Sequence, residues 1–263
     1  TSFSSFFNFG FIPEASHWVF ARIFYNKVCI ISFLIRHIYS VKVNDERRKV
    51  MNLELIKNNI IFRLITKKEF DRLTKQSEAT KDEFPYRKWN DLYLIYRSIL
   101  PNQSEDLVTT MLISNFIMKR LKFTEEELFQ FAKTNTAKRT GIIVTPLSNP
   151  FRNEMSAKTD IWNFSDDTSD STILSNRNLM NGAALILCDE VMDKVVEHYK
   201  VNVLYILPSS IHEVIIIPDS DSVDVEYLKD MVYEINRSTV APEERLSDHV
   251  YKYTCATKSF EML

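Results

Sequence analysis

The chain has 263 residues, of which 45% are hydrophobic and 26% charged, so it can bury one large core or two small ones. Its formal net charge of -2 argues against the broad basic surface of a non-specific nucleic-acid or anionic-membrane binder. The three cysteines lie far apart, which argues against a disulfide framework, so we expect a cytoplasmic protein. The three glycines are scattered, which argues against glycine-rich phosphate or dinucleotide loops, so we expect no cofactor.

The N-terminal segment, residues 1–50, differs in composition from the rest of the chain. Residues 1–43 hold eight of the eighteen phenylalanines and one carboxylate, Glu14. Their most apolar window, Val28–Ile35, is short, and extending it to the length of a bilayer takes in basic residues. We therefore predict no membrane span and interpret residues 1–50 as an atypical segment, either an extension or part of a fragment.

Residues 51–150 are predicted to form a mixed α+β region. Apolar residues at helical spacing lead into a strand at Ile61–Ile65, and a charged helix follows around Lys67–Gln76. Trp89–Leu100 carries a run rich in strand-forming residues. The hydroxyl of Thr124 and the carboxylate three residues later form a capping-box sequence, which predicts that a helix begins there.

The segment 151–178 is rich in Ser, Thr, Asp and Asn and is interpreted as a polar linker. Its exception is the apolar cluster Ile161–Phe164. A large aromatic residue in such a segment either covers apolar surface on its own chain or anchors a partner. Trp162 and Phe164 are therefore candidate partner-binding residues.

Residues 179–263 are predicted to form a compact α+β domain. The pattern indicates strands at Ala183–Leu187, Val203–Leu207, Val214–Ile217 and Val250–Thr254, with helices around Val191–Tyr199 and Val225–Ile235. The resulting βαββαβ order, with two helices packed on the sheet, is compatible with a ferredoxin-like arrangement. Continuous apolar strands also suit a sheet that is buried on both faces.

Two stretches of this domain are distinctive: LPSSIHEV at Leu207–Val214 and VAPEERLSDHVY at Val240–Tyr251. They resemble a bacterial family catalogued as domain-of-unknown-function family 5688. Weaker similarity occurs in Pro85–Arg87, Asp91–Leu92 and Ile113–Thr136, so the resemblance covers about Ile56–Thr254. The first fifty residues depart from the family, and Gln76–Phe84 is longer than usual. The resemblance implies no activity, cofactor or catalytic residue.

One grouping combines a candidate nucleophile, base and carboxylate. Ser209, Ser210 and His212 lie at one turn, and Asp248 and His249 lie near the start of the last predicted strand. No G-x-S-x-G elbow is present, and serine after proline often bonds to local backbone. We predict that the serines cap the turn, that His212 pairs across the strands, and that Asp248 holds the backbone entering the last strand.

The sequence offers no convincing metal site. Asp219, Asp221 and Asp224 are spaced like part of a calcium loop, but its glycine and terminal glutamate are missing, which favours helix capping. His198 lies beside the polar side of its helix, where we expect it to be solvated. No two residues have the short spacing of a zinc-binding pair.

These observations leave three functional hypotheses. The first is a non-enzymatic interaction or regulatory module with a protein partner, because an ordered core lacks a recognisable catalytic group. The second is a hydrolase that uses the Ser/His grouping. The third is a nucleic-acid-binding module, for which the strands supply mainly Tyr205, Tyr251 and Tyr253.

Overall fold

The protein contains two β-sheets with helices packed on them. The computed structural model describes residues 53–100, 109–148, 159–208 and 210–263, and residues 52–263 form one compact unit. The predicted mixture of α and β structure is confirmed. The segment 1–50 lies outside the described residues.

The first sheet has four antiparallel strands, three of which pair with the central one. Its elements are α1 (Leu53–Asn58), β1 (Ile60–Ile65), α2 (Lys67–Thr80), β2 (Tyr86–Trp89), β3 (Leu92–Leu100) and β4 (Thr109–Leu112). β1 pairs along one side of β3, while β2 and β4 pair with the two halves of its other side. The buried residues Ile65, Leu73, Phe84 and Ile95 pack together between β1, β3 and α2.

Two helices follow this sheet: α3 (Asn115–Arg120) and α4 (Glu125–Thr140). The capping box is confirmed, because Thr124 Oγ1 accepts from the Glu127 amide at 3.2 Å and Glu127 Oε2 accepts from the Thr124 amide at 2.8 Å. α4 packs on β1, where the Phe62 amide donates to Thr136 Oγ1 at 3.1 Å.

The second sheet has seven strands in the order β11-β10-β8-β9-β7-β5-β6. They are β5 (Ile143–Pro146), β6 (Ile161–Trp162), β7 (Thr172–Ser175), β8 (Val203–Leu207), β9 (Glu213–Pro218), β10 (Tyr251–Thr254) and β11 (Ser259–Met262). Only the β5–β6 pair is parallel within this sheet. A 3₁₀ helix (Gly182–Leu187), α5 (Asp189–Tyr199) and α6 (Val225–Ser238) accompany it.

The predicted βαββαβ, ferredoxin-like arrangement is not confirmed. Ala183–Leu187 lies in the 3₁₀ helix, and β11 follows the predicted last strand. The amides of Gly182 and Ala183 donate to the carbonyls of His212 and Ile211 at 3.0 and 3.3 Å. A Cβ at Gly182 would lie 2.6 Å from the His212 oxygen, so this turn needs glycine for its close backbone approach.

The segment predicted as a linker, 151–178, contributes β6 and β7 to the second sheet. Thr172 and Ser175 are buried in β7; Thr172 Oγ1 bonds to the hydroxyl of Tyr199, and Ser175 Oγ donates to the His212 carbonyl at 2.9 Å. The predicted boundary at residue 179 therefore does not divide the compact unit, because the same sheet lies on both sides of it.

Asp91, in the turn between β2 and β3, connects the first sheet to the second. Its carboxylate accepts hydrogen bonds from Ser247 Oγ, at 2.7 Å, and from the hydroxyl of the fully buried Tyr251. The Trp89 ring lies beside the rings of Tyr251 and Phe260, with centroids 4.9 and 5.3 Å apart.

Candidate functional site

In the first half of the Ser/His grouping, the hydroxyl of Ser210 bonds within its own turn. Ser210 Oγ donates to Glu213 Oε1 at 2.7 Å and accepts from the His212 amide at 3.0 Å, which confirms its predicted role in the turn. The ring of His212 does not pair across the strands as predicted. Its Nδ1 accepts from the Asn181 amide at 3.3 Å, and its Nε2 lies 3.5 Å from Glu244 Oε1. Ser209 lies outside the described residues.

In the second half of the grouping, Asp248 is hydrogen-bonded to residues of α6. Asp248 accepts from Asn236 Nδ2 at 2.9 Å and from two nitrogens of Arg237 at 3.2 and 3.1 Å. The hydrogen bonds from Arg237 lower the pKa of Asp248. Asp248 was predicted to hold the backbone before β10, but Ser247 does so: its Oγ accepts from the amide of the exposed His249 at 3.1 Å.

Trp162 and Phe164 lie at the β6 edge of the second sheet. The amide of Ile161 donates to the carbonyl of Ile142, just before β5, and the amide of Asn163 donates to the carbonyl of Val144 in β5, each at 2.9 Å. Because successive residues of a strand direct their backbone groups to opposite sides, the N–H and C=O of Trp162 point away from β5. No strand in the described residues pairs with that outer side.

The side chains of this edge form an aromatic row with α5. The Phe164 ring stacks on His198, with centroids 4.2 Å apart, and on Trp162, with centroids 6.2 Å apart. Lys194 Nζ lies 4.2 Å from the centroid of the Trp162 ring. His198 was expected to be solvated, but Phe164 covers one face of its ring.

These residues line an open cavity of about 280 Å³, here called the aromatic groove: Trp162, Phe164, Lys194, Glu197 and His198. A second cavity of about 150 Å³ adjoins it and shares Trp162 and Lys194; its other lining residues are Ala137, Lys138, Ile142, Asp160 and Glu190. Both cavities lie on the side of the molecule that carries β6 and α5.

The residues that line the two cavities together carry one net negative charge. Asp160, Glu190 and Glu197 exceed Lys138 and Lys194 by one charge. Burial, with a smaller effect of Lys200, lowers the pKa of His198, so the imidazole is neutral at neutral pH and adds no positive charge. Within the aromatic groove Glu197 balances Lys194, and in the adjoining cavity Asp160 lies 3.8 Å from the guanidinium of Arg177.

Trp162 fits both alternatives derived from the sequence. Its ring contacts Phe164 and Lys194 of its own chain, yet the side chain is only half-buried and lines both cavities. Sequence reasoning did not place Lys194 and Glu197 beside Trp162. Their spacing with His198 was the available signal, because residues three and four apart share one face of a helix.

One of the three aspartates spaced like calcium ligands, Asp224, caps a helix. Asp224 Oδ1 accepts from the amides of Glu226 and Tyr227 at 3.0 and 3.4 Å, which confirms the predicted helix cap. Across residues 53–100, 109–148, 159–208 and 210–263, no three His, Cys, Asp or Glu side chains converge as metal ligands would. No helix in these ranges has the length and apolar character needed to cross a bilayer.

Comparison with known proteins identifies a family but no activity. A family of unknown function, DUF5688, matches residues 26–255. This confirms the resemblance found in the sequence and corrects its N-terminal limit, since residues 26–50 lie within the match. Neither a curated protein nor a protein of solved structure matches the chain.

Proposed function

The chain belongs to the DUF5688 family of unknown function, and we propose that it is a non-enzymatic interaction module whose aromatic groove binds an extended, basic segment of a partner protein. The carrying observation is the position of Trp162. Its backbone groups face the outer side of an edge strand while its ring lines both cavities.

The edge strand supports binding by strand addition. In this mode an extended peptide bonds to the free backbone of a sheet edge and places alternate side chains in neighbouring pockets. Trp162 offers one N–H and one C=O to such a peptide. The groove and its adjoining cavity, which share Lys194 and Trp162, would receive side chains of the peptide.

Two carboxylates without ion-pair partners among the described residues favour a basic peptide. An arginine side chain can pair with a carboxylate, and it can stack on the Trp162 ring by displacing the ammonium group of Lys194. Neither Glu190 nor Glu197 has an ion-pair partner within the described residues, so both are available for that role. The same carboxylates would repel nucleic-acid phosphates, which makes the nucleic-acid hypothesis the weaker one.

The hydrolase hypothesis receives no comparable support. The hydroxyl of Ser210 donates to Glu213, and no hydrogen bond joins it to a histidine ring in the described part of the chain. A nucleophile needs such a contact with a base.

A random peptide library selected on the full chain tests the proposal. We expect the selected peptides to combine an apolar or aromatic residue with neighbouring Arg or Lys. Trp162→Ala should weaken their binding by at least about tenfold, because buried tryptophans often dominate the binding energy of an interface. Phe116→Ala, which removes an exposed ring from α3, is the matched control and should bind normally.

Charge reversal gives the second arm of the experiment. Glu197→Lys should shift the selected peptides from basic toward neutral or acidic sequences. The proposal is wrong if no peptide distinguishes the chain from Trp162→Ala, or if Glu197→Lys selects the same basic sequences.

A further inference from the structure

Two arginines lie on one face of the first sheet. In the antiparallel pair of β1 and β3, Arg63 is opposite Ile95, and Arg97 is opposite Ile61. Residues two apart on a strand share a face, so Arg63 and Arg97 are diagonal neighbours on the face that packs against α2. Both side chains are partly buried.

Few partners compensate these cations. Arg97 donates from Nε to Thr110 Oγ1 at 2.7 Å and from Nη2 to the Thr110 carbonyl at 3.0 Å, and both acceptors are neutral. Arg72 donates to both carboxylate oxygens of Glu69, at 2.7 and 2.6 Å. The Nε of Arg63 is fully buried and has no hydrogen-bond partner.

The electrostatics of the cluster show an unbalanced positive charge. Burial is the main cause that lowers the pKa of Arg97 to about 10, and the neighbouring Arg63 lowers it further. Burial also lowers the pKa of Arg63. The carboxylate of Glu69 raises the pKa of both arginines and also bonds to Arg72, so three guanidinium groups share one carboxylate. All three remain protonated at neutral pH, which leaves an excess of two positive charges.

We propose that Arg63, Arg72 and Arg97 bind a dianionic phosphate group, either inorganic phosphate or a small phosphate monoester. The planar guanidinium fork matches phosphate oxygens and can donate two parallel hydrogen bonds. A dianion neutralises the excess charge of the cluster, whereas a single carboxylate neutralises half of it. The ligand also supplies an acceptor for the Nε of Arg63, whose burial without a partner is costly.

This site is separate from the aromatic groove. It lies on the first sheet and uses side-chain forks, so the absence of clustered glycines does not argue against it. Failure of one proposal therefore leaves the other untouched.

The test measures binding of inorganic phosphate and of glycerol phosphate to the full chain, by titration calorimetry and by the change in Tm at constant ionic strength. A ligand that binds the folded state raises Tm with its concentration. We expect both probes to raise Tm relative to chloride, and the monoester to bind more tightly as it loses its second proton, at a pH of about 6. The tighter of the two probes identifies the source of the phosphate group.

Variants separate the site from general charge effects. Arg63→Gln should weaken phosphate binding by about tenfold or more, because it removes a charge-assisted donor. Arg139→Gln, an exposed position on α4, removes the same charge and should leave binding unchanged. If Arg63→Gln does not fold, the more exposed Arg72→Gln serves instead.

Two results would overturn the proposal. One is that neither probe stabilises the chain more than chloride does. The other is that Arg139→Gln weakens binding as much as the variants of the cluster do, which would show attraction by net charge alone.

Discussion

Replacing Asp91 with alanine should destabilise the whole protein, although Asp91 lies in a short turn. Its carboxylate accepts hydrogen bonds from Ser247 and from the fully buried Tyr251, and so joins the first sheet to the entrance of β10. Asp91→Ala removes both acceptors at once and leaves the Tyr251 hydroxyl buried.

The magnitude follows from the two hydrogen bonds. A hydrogen bond to a charged acceptor contributes about 1.5–3 kcal/mol, and a buried donor left without a partner costs about 1–3 kcal/mol. We therefore expect Asp91→Ala to lower the free energy of unfolding by about 3–5 kcal/mol. Tyr251→Phe should cost less, about 1–2 kcal/mol, because Ser247 still donates to Asp91.

Urea unfolding of the two single variants and the double variant measures these values. The effects should not add, and the double variant should be about 1–2 kcal/mol more stable than additivity predicts. Asp221→Ala, at an exposed position, is the control. If Asp91→Ala lies within about 0.5 kcal/mol of that control, Asp91 does not connect the sheets energetically.

Two further predictions concern acid stability and the extent of the folding unit. Asp248 has a lowered pKa, so its bonds with Arg237 stabilise the fold above the ordinary value of 3.8 and lose this effect as pH falls through the lower folded value. The Tm difference between the chain and Asp248→Asn should therefore shrink below that pH, and a constant difference would contradict this. A fragment of residues 179–263 lacks β7 and exposes β9, so NMR should show broad amide signals, whereas sharp dispersed signals would show that the fragment folds alone.

The elements predicted correctly are those marked by a pattern of neighbouring residues. The capping box at Thr124 marks the start of α4, and the apolar face ending at Tyr199 marks α5. The strands β8, β9 and β10 follow from short β-rich runs bounded by turns. In each of these elements the signal lies within about a dozen consecutive residues.

The strand predicted at Ala183–Leu187 is wrong, because this segment lies in the 3₁₀ helix Gly182–Leu187, which is buried on every side. All six residues are buried, so hydrophobicity carries no period that separates a strand from a helix. The error at β7 has the opposite cause. Thr172 and Ser175 are polar in sequence, yet partners distant along the chain, Tyr199 and His212, bond to them and make their burial possible.

The aromatic groove was predictable only in part. Trp162 and Phe164 are conspicuous because they are apolar residues in a polar segment. Lys194 and His198 join them through the packing of α5 beside β6, and no local pattern encodes that contact. The proposed phosphate site shows the same limit, since Arg63 and Arg97 become neighbours only through the register of β1 and β3.

β11 has a consequence for how the molecule avoids association. It lies beyond residues 26–255, so the part of the chain that matches the family stops just after β10. Unpaired backbone groups on a sheet edge can recruit a strand from another molecule and lead to aggregation. By pairing with β10, the residues Ser259–Met262 replace it as the edge strand, and a strand this short offers few backbone groups to another chain. The second sheet therefore ends in the four-residue β11 at one border and in the two-residue β6 at the other, so both of its edges are short.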